Sequence, residues 1–161
     1  MAKATIPGLS TLGVVFSYGV ESTAGQKPAT FKQLERCSEI AGITLETENI
    51  DVSTLEDFVS RYTPGRQDTG GTWDVTFNLT NETIEQLTTM MSEASEAYSG
   101  GKQTWFQISH PNLTKAFFVI AQPGTNIPLP DFAQNEALTG AISLVIGEYR
   151  GLDTKVEVSA G

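Results

Sequence analysis

Residues 72–101, TWDVTFNLTNETIEQLTTMMSEASEAYSGG, change their hydrophobic period part-way, and that change decides the fold class. Up to Leu79 the period is two. Trp73, Val75, Phe77 and Leu79 share one face, while Thr72, Asp74, Thr76 and Asn78 share the other, as in a strand with one side on a core. Beyond Asn81 the period lengthens. Ile84, Leu87, Met91, Ala94 and Tyr98 recur at helical spacing and predict an amphipathic helix over 82–99. Asn81 is the expected N-cap, Glu82 and Glu85 suit the positive end, and Gly100 and Gly101 end the helix. Glu82, Gln86, Glu93 and Glu96 fall on its polar face.

Strand patterns lie on both sides of this helix. Upstream, Leu12, Val14, Phe16 and Tyr18 alternate, and residues 19–31 read as a polar excursion. A second strand is expected within 40–48, where Ile43 and Leu45 alternate with polar neighbours. Downstream, 103–109 and 114–121 are expected to pair around the turn His110-Pro111-Asn112. One of the adjacent pair Trp105 and Phe106 should face inward. Residues 122–136 carry three prolines and cannot form a central strand. Ile142, Leu144 and Ile146 then alternate, a bend is expected at 147–150, and a last strand or tail at 152–158.

Roughly six or seven strands around one helix predict a mainly β fold with one α-helix, an antiparallel β-sandwich or barrel. A doubly wound sheet would need several crossover helices. Residues 1–10, with Pro7 and Gly8, read as an N-terminal arm. Residues 11–158 read as one domain, and 159–161 as its C-terminal end.

The odd stretch is 50–71, IDVSTLEDFVSRYTPGRQDTGG. It reads as a long loop, and long loops usually have a function. Ser53 and Glu56 form a local capping box, so a short helical turn is expected through Leu55, Phe58 and Val59. Pro64 and Gly65 then turn the chain. The apolar residues Leu55, Phe58, Val59 and Tyr62 need a surface. Two readings stay open: packing on their own domain, or docking on something else.

Composition restricts the chemistry. The chain has 161 residues, 19 acidic and 10 basic, for a formal charge of -9. Tight binding of nucleic-acid phosphates is not expected of such a chain, although an acidic wall lets DNA pass without holding it. No apolar run is long enough for a spanning helix, the N-terminus lacks a secretory apolar core, and no membrane insertion is expected. Cys37 is the single cysteine, which excludes an internal disulfide and fits a reducing compartment. The single histidine, His110, precedes proline in a turn and lacks a nucleophile elbow elsewhere. No phosphate-binding loop is present. The acids between 35 and 57 read as a solvated face; Glu46 and Glu48 share a side if their strand forms. No enzyme activity, cofactor or metal is expected.

The order of elements resembles the major tail (tail tube) proteins of long-tailed, siphovirus-like phages. The resemblance rests on residues 49–54 (NIDVST), 61–66 (RYTPGR), the pair Gly70-Gly71, the strand over 72–79, the helix that follows and the aromatic strand at 104–109. It covers roughly 8–158.

It implies a β-sandwich or barrel with a flanking helix, six copies closing into a ring, and rings stacking into a hollow tube for genome delivery. The implied setting is the virion tail, with assembly in the host cytoplasm. The implied partners are further copies of the chain, a tape measure protein, a tail terminator and tail tip or baseplate proteins, with double-stranded DNA in non-specific transit. The implied ring-stacking residues are Val52, Leu55, Phe58, Val59, Tyr62, Pro64, Gly65 and Arg66. Ile6, Pro7 and Leu9 fall in an inter-subunit arm. Glu46, Glu48, Asp51, Glu93 and Glu96 are candidates for an acidic lumen. The same fold also implies an alternative, a tube subunit of a contractile secretion or injection system. A soluble β-domain binding a carbohydrate or peptide is a rival of a different class.

Overall fold

A computed structural model of the chain describes residues 13–159. Ten strands and one helix follow in the order β1 (Val15–Val20), β2 (Phe31–Gln33), β3 (Cys37–Ile40), β4 (Glu46–Asp51), β5 (Tyr62–Asp68), β6 (Thr72–Asn78), α1 (Asn81–Ser99), β7 (Thr104–Ser109), β8 (Lys115–Pro123), β9 (Thr139–Thr154) and β10 (Val158–Ser159). Eight strands form one sheet in the order β10-β2-β1-β7-β8-β9-β6-β3, while β4 and β5 form a separate ribbon. The large sheet curls into a barrel-like shape. Its pairings are antiparallel except for the short parallel pair of β10 and β2, an exception to the antiparallel expectation.

The curl is closed by three residues. The Leu34 amide donates to the Phe16 carbonyl of β1, and the Arg36 carbonyl accepts from Asn78 at the end of β6. Residues 34–36 thus bridge the two margins of the sheet. Arg36 has φ of 61°, a left-handed conformation that turns the chain at this crossing.

Both faces of the central strands are buried. On one face Phe16, Trp73, Val75, Phe77, Phe106, Ile142 and Leu144 pack with Leu87, Met90 and Met91 of α1. Phe16 stacks on Phe106 at 5.5 Å, and Trp73 meets Phe106 edge-on. On the other face Phe31, Trp105, Ala116, Phe118 and Ile120 form a second core, covered by Val156 and Val158. Trp105 and Phe106 are therefore both buried, one in each core.

Gly19 makes the second core possible. It pairs with Trp105 in β7. A Cβ at Gly19 would lie 2.6 Å from the Thr30 carbonyl oxygen and 3.2 Å from the Phe31 ring. Only glycine lets that backbone and the ring approach so closely.

Expected and observed elements differ in places. Helix α1 starts after Thr80, not Asn81: Thr80 is extended and its hydroxyl accepts the Thr83 amide. Its buried stripe runs through Thr83, Leu87, Met90, Met91, Ala94 and Ala97. Ile84 and Tyr98 are exposed instead. The small residues Ala94 and Ala97 turn toward the sheet, and the bulkier pair rotates outward. At the C-terminus the Lys102 amide reaches the Ala97 carbonyl over Gly101 at positive φ.

The strand expected within 40–48 does not form as one element: residues 41–45, with Ile43 and Leu45, lie in no strand, and only its ends fall in β3 and β4. β3 pairs with β6, and β4 leaves the barrel. The expected bend at 147–150 does not end a strand. β9 continues for 16 residues and absorbs two extra residues, Gly147 and Arg150, as register shifts against β8. The last strand, β10, runs through Ser159. Residues 122–136 are strand only as far as Pro123. No described helix is long and apolar enough to cross a membrane.

The Gly19→Ala variant should lose about 1–3 kcal/mol of unfolding free energy, whereas Gly42→Ala, at a site open to solvent with nothing within 4 Å, should change it by about 0.5 kcal/mol or less. Urea denaturation of both variants checks this, and equal effects would contradict the close approach at Gly19.

Candidate functional site

The stretch expected as a loop over 50–71 is half of a β-ribbon. Strands β4 and β5 pair in register from Glu46 opposite Asp68 to Asp51 opposite Tyr62. Between them the register shifts by one residue, so that Gly65 and Arg66 share the place opposite Glu48. Gly65 is tightly flanked: a Cβ there would meet the Glu48 and Ile50 side chains at 3.2 Å. Every residue of β4 is exposed, and β5 is exposed apart from Gly65. An isolated two-stranded ribbon is marginal in water. This one stands outside the barrel with both faces wet.

Its tip is nonetheless ordered. The Val52 amide donates to the Arg61 carbonyl, and the Arg61 amide donates to Ser53 Oγ at 2.7 Å. The Thr54 amide and hydroxyl both donate to Asp57 Oδ2, while Asp57 Oδ1 lies 3.3 Å from Arg61 Nε. The expected cap thus falls one residue later, on Thr54 and Asp57, and no helical turn forms. Ser53 also holds the Asp51 carboxyl below the usual range through its hydroxyl and amide.

These polar contacts hold the tip backbone and do not cover its apolar side chains. Leu55 and Phe58 are fully exposed, Val59 is 77% exposed, and Ile50, Val52 and Tyr62 are largely so. Packing on their own domain is excluded for Leu55 and Phe58. Exposed apolar side chains grouped on one tip make it a candidate interaction surface. Pro64, Gly65 and Arg66 lie back along β5, in the ribbon's stem.

The candidate acids do not converge. Glu46 and Glu48 share one face of β4, and the alternation of the strand puts Asp51 on the other. Glu93 and Glu96 are on α1, and Glu93 is already engaged: it accepts the Tyr18 hydroxyl at 2.9 Å and Lys32 Nζ at 3.1 Å. Ile6, Pro7 and Leu9 lie outside the described residues.

Sequence reasoning missed Glu21. Its carboxylate is buried and accepts the Gln103 amide and the Trp105 indole N–H, a fastening between β1 and β7. The signal was weak, since one acid in a polar stretch carries no period. Gln107 was missed too. Its side-chain amide exchanges two bonds with the Val156 backbone and clasps the C-terminal segment over the second core. His110 sits in its expected turn, where Nδ1 accepts the Asn112 amide. Among the described residues no cluster of His, Cys, Asp and Glu could hold a metal ion.

Solved structures with this fold exist. The tail of an empty gene transfer agent particle, computed with C6 symmetry, contains a chain 12% identical over 92% of this chain and 100% of its own, with a TM-score of 0.55. The two chains share a fold. The virion of the native gene transfer agent gives 11% identity, 91% and 100% coverage and a TM-score of 0.56. The six-fold symmetrised baseplate of the anti-feeding prophage gives 13%, 95% and 98%, with 0.53. No family model matches the sequence, and none of the curated proteins does.

The Tyr18–Glu93 contact has a pH consequence. Burial pushes the Tyr18 hydroxyl well above its ordinary 10.0, and the bond to Glu93 adds to it. Above about pH 10 the unfolded chain releases this proton while the folded chain keeps it, so stability falls as pH rises. Cys37, raised by burial from 9.0 to about 11, acts in the same sense from lower pH. Tyr18→Phe should flatten the loss above about pH 10; denaturation midpoints across alkaline pH check this, and parallel curves for the two proteins would contradict it.

Proposed function

We propose that this chain is a structural, non-enzymatic subunit that self-assembles into the hollow tube of a tail-like delivery particle. The supporting observation is the ordered, fully exposed apolar tip on a ribbon that its own barrel does not cover. A contact between the tip of one copy and a different surface of the next is heterologous. Such contacts repeat without closure along a stack. Likeness in fold to tail proteins of gene transfer agents supports the same reading. The anti-feeding prophage likeness extends it to injection particles in general, so the proposal reaches beyond long-tailed phages.

In finer detail, we take the assembly to be stacked rings of six, the symmetry of the similar tail and baseplate. The implied ring-stacking residues Val52, Leu55, Phe58, Val59 and Tyr62 form the contact. Glu46 and Glu48, on one side of the ribbon, are the pair best placed to present charge to a channel together. A wall of like charge lets DNA slide rather than stick. A tape measure protein inside, and terminator and tip or baseplate proteins at the ends, complete this arrangement.

Purified protein, imaged by negative-stain electron microscopy over a concentration series, should show rings or hollow tubes. Leu55→Asp/Phe58→Asp should abolish them and leave a folded monomer whose melting temperature moves by about 2 °C or less. Normal tubes from that variant would refute tip-mediated stacking. Glu46→Lys/Glu48→Lys should still assemble but slow DNA release from reconstituted particles, read as the rate at which DNA becomes accessible to nuclease; an unchanged rate would remove these two residues from the lumen.

A further inference from the structure

The exposed tip of the ribbon needs an apolar receiving surface, and the barrel carries one. A groove of about 910 Å³ opens beside β3, at the entry to β1 and along the chain that leads to the ribbon. Its walls include Val14, Ile40, Ile43, Ile108, Phe117 and Tyr149, all half-buried. Ile40, Ile43, Ile108 and Tyr149 rest on the first core with part of their surface and line the groove with the rest. Glu39 is the charged side chain among these walls. The side of β3 away from β6 has no strand partner among the described residues.

The groove sits at the foot of the ribbon. Ala41, Gly42 and Ile43 line it, and β4 begins just beyond them at Glu46. The Ala41 carbonyl accepts the Trp73 indole N–H at 2.7 Å, which fastens this foot to the first core. β4 then spans about 20 Å before the tip begins at Val52. Leu55 and Phe58 are fully exposed, so a chain's tip does not enter its own groove. Tip and groove are two uncovered apolar surfaces at opposite ends of one ribbon. A copy shifted along the ribbon brings its tip to the groove of the next, and each copy keeps a free tip or a free groove for a further one.

We propose that the groove at the ribbon's foot receives Leu55, Phe58 and Val59 from the tip of a second copy. This rests on the tube reading above and names the surface that the tip contacts. Arg61, the tip's one basic residue, is paired with Asp57 yet three-quarters exposed, and is the cation that a seated tip brings to Glu39. The three apolar side chains offer on the order of 400 Å², about half of what one partner contributes to a stable pair. One such contact is weak, whereas a ring that makes several at once holds firmly.

Cys37 lines the groove and is the chain's single cysteine, so the contact is chemically readable. Glu56→Cys puts a second thiol on the tip, at an exposed position, and leaves Leu55, Phe58 and Val59 in place. Its tubes, treated with a short bismaleimide, should yield chains joined between copies, with Cys37 linked to position 56 in peptide mass spectra. Glu56→Cys/Cys37→Ser should lose that linkage. Gly42→Lys sets a charged side chain in the groove wall where nothing lies within 4 Å; it should melt like the parent and raise the concentration at which tubes form about ten-fold or more. Tubes without the linkage, or with it only inside single chains, would overturn the inference, leave the tube reading standing and give the groove to another occupant. Gly42→Lys tubes at the parent's concentration would also overturn it. A parent chain that forms neither rings nor tubes would refute the tube reading and this inference together. Should Glu56→Cys not assemble, the Gly42→Lys comparison decides alone.

Discussion

On β7, Trp105 and Phe106 are neighbours in sequence and point to opposite sides of the sheet, yet both are buried. A strand with two dry faces needs two cores, and the rest of the chain supplies them. α1 and the aromatic residues of β1 and β6 cover the Phe106 side. β2, β8 and the C-terminal segment cover the Trp105 side. Gly19 lies beside Trp105 and gives up its side chain so that Phe31 can reach that second core. The Glu21 carboxylate and the Gln107 amide satisfy the polar groups that this double burial strands. The β4–β5 ribbon adds to neither core and stands outside the barrel.

The parts legible in the sequence were those where one period ran uninterrupted. The strand at 72–78 and the helix after it obey a single pattern each, because each has one buried face. The hairpin of β7 and β8 was legible through its proline turn. The second core was not, since a strand buried on both faces has no alternation to read. The ribbon was misread as a loop for the opposite reason. With both faces exposed, it also lacks alternation, and its Pro64-Gly65 pair looks like a terminator when Pro64 pairs with Asn49 and Gly65 enters a bulge. The expected helix stripe held Leu87, Met91 and Ala94 correctly but took Ile84 and Tyr98 where Thr83, Met90 and Ala97 are buried.

For the candidate site, the residues were legible and their arrangement was not. Leu55, Phe58 and Val59 stood out as apolar side chains in a polar stretch, and they remain the surface of interest. The acids were counted as one group, yet they belong to two elements and, within β4, to two faces. Glu93 is held by Tyr18 and Lys32, a contact between residues far apart in sequence that no local pattern encodes.

The ribbon's independence has a bearing on how this chain varies over time. Its side chains contribute to neither core, so replacing one changes the exposed surface with little effect on folding. Residues of the barrel carry the opposite constraint. Selection on stability and selection on partner choice thus act on separate sets of positions within one chain. A lineage can retune which neighbour its subunits accept without first acquiring a compensating change in the core.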